Sequence, residues 1–132
     1  MEIWQLTATE LASLISKGEI SAVDATQSHL SRMNEANQII NAVVEGCQGE
    51  ALREAEQIDA NLRKGLQLGP LAGVPVTVKV NVDQEGYATT NGLQLQKDLV
   101  AQKDNPVVNN LRKAGAIIIG RTNTPAFSLR WF

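Results

Sequence analysis

The sequence has 132 residues, 43% of them hydrophobic and 20% charged, with twelve basic against fourteen acidic side chains and a formal charge of -2. That is the size and composition of one globular unit able to bury roughly two-thirds of its unfolded surface, and it excludes a disordered chain. No segment gathers lysine and arginine among aromatics, so direct nucleic-acid binding is not expected, and the longest apolar run, residues 116–119, is too short to span a bilayer.

The chain opens with Met1-Glu2-Ile3-Trp4, which lacks the basic-then-apolar pattern of a secretory leader. A single cysteine, Cys47, excludes an internal disulfide and points to a reducing, cytoplasmic setting. Thr7-Ala8-Thr9-Glu10 has the form of a capping box, and Leu11, Leu14 and Ile15 follow at helical spacing up to a stop at Gly18. Ser21-Ala22-Val23-Asp24 opens a second helix, with Val23, Thr26, Leu30 and Met33 on one stripe. Residues 41–44 read as a short strand closed by Gly46, and a third helix runs from about Gly49 to Lys64, with Ala51, Ala55, Ile58 and Leu62 inward.

A Gly/Pro-rich turn at residues 69–73 then feeds an extended run, residues 74–80, in which every even position is valine. Strand alternation places Val74, Val76, Val78 and Val80 on one face and Pro75, Thr77 and Lys79 on the other, with Pro75 at the start or on an edge. A polar stretch follows to Gly92, and residues 93–104 fit either helix or loop. Asn105-Pro106 starts a helix lined by Val107, Val108, Leu111 and Ala114 and stopped by Gly115. Residues 116–120 have the continuous apolar character of a buried parallel strand, and Arg121-Thr122-Asn123-Thr124-Pro125 reads as the polar turn leaving it. Helices alternating with short apolar strands predict an α/β fold with a mixed, mostly parallel sheet, in one unit without repeats or linkers. The final residues, Ser128-Leu129-Arg130-Trp131-Phe132, read as an unfinished edge because two large aromatics close the chain.

Lys79 is the residue with most chemical promise. Functional groups in open α/β sheets gather at the carboxyl ends of strands, and a lysine there, once buried and neutral, can activate a hydroxyl. By periodicity alone, a lysine that snorkels or pairs with a carboxylate is the commoner outcome. His29 sits mid-helix without metal-ligand spacing around it, Cys47 has no base near it in sequence, and Glu54, Glu56 and Asp59 read as a solvated helix face. The glycines at 115 and 120 bracket a strand and open no helix, which excludes a phosphate loop.

Three blocks in order and spacing change the balance for Lys79. Gly69-Pro-Leu-Ala-Gly73-Val-Pro-Val-Thr-Val-Lys79, Thr89-Thr-Asn-Gly92, and Ala114-Gly-Ala-Ile-Ile-Ile-Gly120-Arg-Thr-Asn-Thr-Pro125 together resemble the amidase signature family. The resemblance covers residues 69–127 and extends more weakly to about Leu6. It implies the N-terminal part of the amidase-signature fold, helices packed around a mixed sheet, with residues 1–132 forming one portion of a single domain. It also implies hydrolysis of a small-molecule carboxamide to carboxylate and amine or ammonia, without metal or organic cofactor. Members use a nucleophilic serine, a second serine beside a cis peptide bond, and a lysine, whose position here is Lys79. The nucleophile attacks the carbonyl, an acyl-enzyme forms, and backbone amides of a Gly/Ser-rich segment hold the oxyanion.

That Gly/Ser-rich segment is absent from these residues. Ser13, Ser16, Ser21, Ser28 and Ser31 fall in or at the ends of helices, and Ser128 lacks flanking glycines, so none receives a triad role. Lys79 alone is therefore the expected catalytic residue, the substrate-binding residues lie outside this reading, and the chain by itself is expected to be inactive. Many members carry Asp directly after the lysine where this sequence has Val80, which puts the hydrogen bonding around the base in doubt; Asn81, on the Lys79 face, is a partial substitute or simply a strand-ending residue. Two alternatives stay open: the amidase subunit of a tRNA-dependent amidotransferase, and a truncated or non-enzymatic interaction domain. Unpaired sheet edges would favour self-association or a homo-oligomer.

Overall fold

The computed structural model describes residues 2–129. A 3-10 turn at Ile3–Gln5 precedes four helices, α1 (Ala8–Ser16), α2 (Ala22–Ile40), α3 (Gln48–Arg63) and α4 (Pro106–Lys113). Three strands, β1 (Val43–Gly46), β2 (Pro75–Lys79) and β3 (Ile117–Thr122), form a mixed sheet in the order β1-β3-β2. The expected α/β architecture is present. β2 runs parallel to β3 and β1 antiparallel to it. Arg130, Trp131 and Phe132, read above as part of an unfinished edge, lie outside the described residues, as does Met1.

The helix starts follow their sequence signals. Thr7 Oγ1 accepts from the Glu10 amide at 3.3 Å while Glu10 Oε2 accepts from the Thr7 amide at 2.8 Å, so the capping box is closed in both directions. Those contacts hold the Glu10 carboxyl below its ordinary pKa, the Thr7 amide contributing most. Ser21 Oγ accepts from the Asp24 amide at 2.9 Å, and Asn105 Oδ1 from the Val107 amide at 2.9 Å behind Pro106. The ambiguous stretch 93–104 resolves as a loop with one 3-10 turn at Gln94–Gln96 and an isolated bridge between Ala88 and Val100.

The sheet divides the interior into two cores. α1, α2 and α3 cover one face through Leu11, Ile15, Ala25, Leu30, Ala51 and Ala55, which pack on Ile117 and Ile119. On the other face Val78, Val108, Ile118 and Cys47 pack together under Val82, Tyr87 and Leu111. The four even valines do not share one face as expected. Val74 belongs to the first core and Val78 to the second. Val74 lies in the turn before β2, its amide bonded to the Leu71 carbonyl at 2.9 Å, and strand alternation begins only at Pro75. Val107 was expected to line α4 but is exposed, because the buried side of that helix centres on neighbouring Val108.

Bulges in the strands on either side of the junction decide which side chains face which core. Val76 pairs with Ile118 and Thr77 with Gly120, leaving Ile119 extra in β3; Val43 pairs with Thr122 and Glu45 with Arg121, leaving Val44 extra in β1. Ile119 packs in the first core, and a Cβ on Gly120 would meet Val43 Cγ1 at 2.8 Å and Met33 Sδ at 3.3 Å, on that same side. With two successive residues facing α2, Arg121 is turned to the opposite face. It is therefore part of β3 and fully buried, not in a polar turn.

The glycines of the sequence blocks mark chain crossings. A Cβ on Gly69 would overlap the Ala114 carbonyl oxygen, and one on Gly115 (φ +88) would lie 2.7 Å from Ala72 Cα. The Leu71 amide bonds the Ala114 carbonyl at 2.8 Å and the Gly73 amide the Gly115 carbonyl at 3.0 Å, so the two segments touch backbone to backbone. Gly115→Ala adds both a left-handed strain and a backbone overlap; together they should destabilise the chain by about 3 kcal/mol, read as a lowered urea midpoint with unchanged slope.

Candidate active site

Parallel strands β2 and β3 end side by side, with Lys79 paired to Thr122 and the Val80 amide donating to the Thr122 carbonyl at 3.0 Å. Thr77, Lys79 and Asn81 are exposed at this end, whereas Val78 and Val80 are buried. Among the described residues Lys79 makes neither an ion pair nor a side-chain hydrogen bond. The buried setting that a neutral lysine calls for is thus not built by the described residues.

The neighbouring polar groups converge on Ser128. Asn81 Nδ2 donates to Ser128 Oγ at 3.2 Å, and Ser128 Oγ shares a hydrogen bond of 2.9 Å with Thr124 Oγ1. Phe127 (φ +50) and Ser128 (φ +58) both adopt left-handed backbone, a strained arrangement for residues with side chains. Asn81 therefore spends its amide on the 126–129 turn and not on the lysine beside it. Val80, standing where many members carry Asp, packs inward, and its carbonyl accepts from the Asn91 amide at 3.4 Å.

The loop between the second and third blocks is drawn to the same place. A Cβ on Gly92 (φ +73) would meet the Thr124 carbonyl oxygen at 2.5 Å, and the Phe127 amide donates to the Asn91 carbonyl at 2.8 Å. Beside this junction a cleft of about 420 Å³ opens between Glu45, Val80, Thr90, Gly92, Lys97 and Asn123. Ligands of open α/β sheets bind outside the carboxyl ends of the strands, and this cleft has that location. All three sequence blocks thus meet around the end of β2.

Sequence reasoning missed two buried charged residues. Arg121 donates from Nη1 to Gln84 Oε1 at 3.1 Å and from Nη2 to the carbonyls of Val82 and Ala88 at 3.2 Å each. Burial pushes its pKa down, although Glu45, Cys47 and Asp83 oppose the shift. Its position directly after a continuous apolar run was the available signal. Asp59, read as part of a solvated face, is 9% exposed and accepts from the Ala22 amide at 2.7 Å and the Val23 amide at 3.1 Å. It lies four and eight residues after Ala55 and Ala51, on the buried stripe of α3, so helical spacing alone places it inward.

Glu54 also departs from the solvated-face reading, since it pairs with Arg112, which additionally binds Glu50 at 3.0 Å and Asp104 at 3.1 Å. Glu56 is exposed as expected. His29 is half-buried with Nδ1 2.8 Å from the Ala25 carbonyl, and Cys47 is buried with its thiol pKa pushed up mainly by that burial, an unreactive setting. Ser21 is a cap, and Ser16 Oγ donates to the Ser13 carbonyl at 2.9 Å, local roles of the kind expected for helical serines.

The family model described as Amidase matches residues 24–131. The chain belongs to the amidase family. Over 130 residues this amidase chain is 50% identical to an indoleacetamide hydrolase of Bradyrhizobium diazoefficiens, covering 98% of the chain and 25% of that protein. A glutamyl-tRNA(Gln) amidotransferase subunit of Moorella thermoacetica is 37% identical over 129 residues, covering 98% of the chain and 26% of that protein. A fatty acid amide hydrolase structure superposes with a TM-score of 0.90 at 31% identity, covering 93% of this chain and 22% of that one. The amidase chain thus spans about a quarter of the length of the curated relatives it matches. No helix among the described residues is long and apolar enough to cross a membrane.

Proposed function

We propose that residues 1–132 are one portion of a longer amidase domain that hydrolyses a small primary carboxamide to a carboxylate and ammonia, with Lys79 as the proton acceptor of a Ser-cisSer-Lys triad. The observation that carries this reading is the convergence of the three family blocks on the end of β2, with Lys79 at its last position. In that mechanism a serine outside these residues attacks the amide carbonyl. Its proton passes through a second serine to Lys79 and then to the departing amine, so the C–N bond breaks without a charged amide leaving. Hydrolysis of the acyl-enzyme by water completes the cycle, and no metal or organic cofactor takes part. The exposure of Lys79 supports a partner surface from the rest of such a domain lying over it. Without the serines and the oxyanion-binding amides, the 132-residue chain alone turns over no amide.

The higher identity to an indoleacetamide hydrolase than to an amidotransferase subunit favours an arylacetamide substrate over glutamine. The single buried cysteine fits a cytoplasmic enzyme, and the outer edges of β1 and β2, unpaired among the described residues, support association with further strands, from the same chain or a second copy. The test is ammonia release from indole-3-acetamide, and separately from glutamine, by the natural polypeptide that contains these residues. Turnover of the arylacetamide without partner subunits is the expected result. Glutamine turnover that appears only with partner subunits would move the assignment to the amidotransferase class.

A further inference from the structure

Among the described residues there is one fully buried guanidinium that the proposed chemistry does not use, and its placement is costly. Arg121 has no exposed surface, and its Nε has no hydrogen-bond partner among the described residues. The nearest carboxylate oxygen, Glu45 Oε2, lies 4.0 Å away on a side chain that is 46% exposed. A buried charge so weakly paired is usually worse for stability than an apolar residue of the same volume. The bulge at Ile119 and Gly120 is what aims Arg121 at this face, since regular alternation would send it toward α2.

What the guanidinium reaches is the loop that leaves Lys79. Residues 80–92 contain no helix and none of the three strands, and their carbonyls at Val82 and Ala88 accept from Arg121 Nη2 near either end of the loop. Gln84, itself fully buried, receives Nη1 and passes its own amide to Cys47 Sγ at 3.7 Å. The Tyr87 ring covers the guanidinium with its centroid 5.9 Å away. Arg121 pairs with Val78 and its neighbour Thr122 with Lys79, so the same strand that braces the loop also braces the lysine.

We infer that Arg121 is a positioning residue: from the far face of the sheet it closes the loop after β2 around three acceptors, and so fixes where Lys79 and the Thr89–Gly92 block stand relative to each other. Its catalytic meaning rests on the reading of Lys79 as the base; the positioning itself does not. Planar, multiply donating geometry suits this task in a way an ammonium does not, because one group must satisfy acceptors converging from several directions.

The test is amide hydrogen exchange of the 132-residue chain, together with acylation of Lys79 by an activated ester measured against Lys113 in the same sample. In Arg121→Met, which keeps bulk and removes the donors, the hydrogen-bonded amides of Gly86, Thr89 and Asn91 should exchange at least about tenfold faster while those of α1 and α3 stay protected. The Lys79 to Lys113 acylation ratio should change with them. In Arg121→Ala, guanidinium chloride at concentrations too low to denature should restore both signals by refilling the site, which a purely space-filling role would not allow. Gln84→Met, which removes one acceptor, should give the same local pattern at smaller amplitude if the arginine variants fail to fold. Unchanged exchange and acylation in Arg121→Met, or in Gln84→Met where only that variant folds, would overturn the positioning role. Full activity of Lys79→Ala in the natural polypeptide would instead remove the base assignment and leave the loop result standing.

Discussion

Lys79→Ala in the natural amidase polypeptide should lower kcat for amide hydrolysis by about 10⁴-fold or more, the scale on which loss of one member of a nucleophile-base set acts. In the 132-residue chain the same substitution should leave folding within about 0.5 kcal/mol of the parent, because there the Lys79 side chain is exposed and makes no ion pair among the described residues. That separation is the informative part. A structural lysine would lose stability and activity together, whereas a proton acceptor loses activity alone. Lys79→Arg should be as inactive as the alanine variant, since a guanidinium cannot give up its proton at any working pH. Steady-state kinetics with an arylacetamide on the natural polypeptide and a urea titration of the 132-residue chain check the two halves. Retention of more than a tenth of the parent kcat in either variant would exclude Lys79 as the base.

A large effect on stability, matching that of Gly115→Ala, is expected at Asp59. Its two carboxylate oxygens accept from the amides of Ala22 and Val23 at the start of α2, and Ala22 is fully buried. The first amides of a helix have no partner within it, and the positive end of the helix dipole adds to the attraction for a carboxylate. Asp59→Ala leaves two donors facing the methyl group of an alanine in a partly enclosed site, at a cost of about 3 kcal/mol. Asp59→Asn keeps one acceptor and loses the charge, for about half that. Glu56→Ala, three positions earlier on the exposed side of α3, should change stability by less than about 0.5 kcal/mol. Urea midpoints for the three variants check the ordering, and an Asp59→Ala chain as stable as the parent would refute the capping role.

Local signals carried much of the fold into the sequence. Thr7 with Glu10, Ser21, and Asn105 with Pro106 each mark a helix start because a cap satisfies amides only a few residues away. The block glycines were legible as breaks, and the order of the blocks resembles the amidase family, to which the chain belongs. Which glycines lie against which backbone was not legible: Gly69 meets Ala114 and Gly115 meets Ala72 across more than forty positions of sequence.

What the sequence by itself determined, then, is the α/β class, the helix starts and the candidacy of Lys79. All of these depend on neighbours along the chain or on motif order. Only the tertiary structure decided the rest, and the strand parity shows why. Alternation is a local rule, but Ile119 in β3 and Val44 in β1 have no opposite number, and such a bulge depends on how many residues the partner strand offers. One extra residue sent Arg121 into the interior and not into a turn, and placed it under the loop that leaves Lys79. Asp59 became a cap for the same kind of reason. Its helix is local, but the amides it satisfies belong to a helix that begins thirty-seven residues earlier in the chain and meets it only through packing.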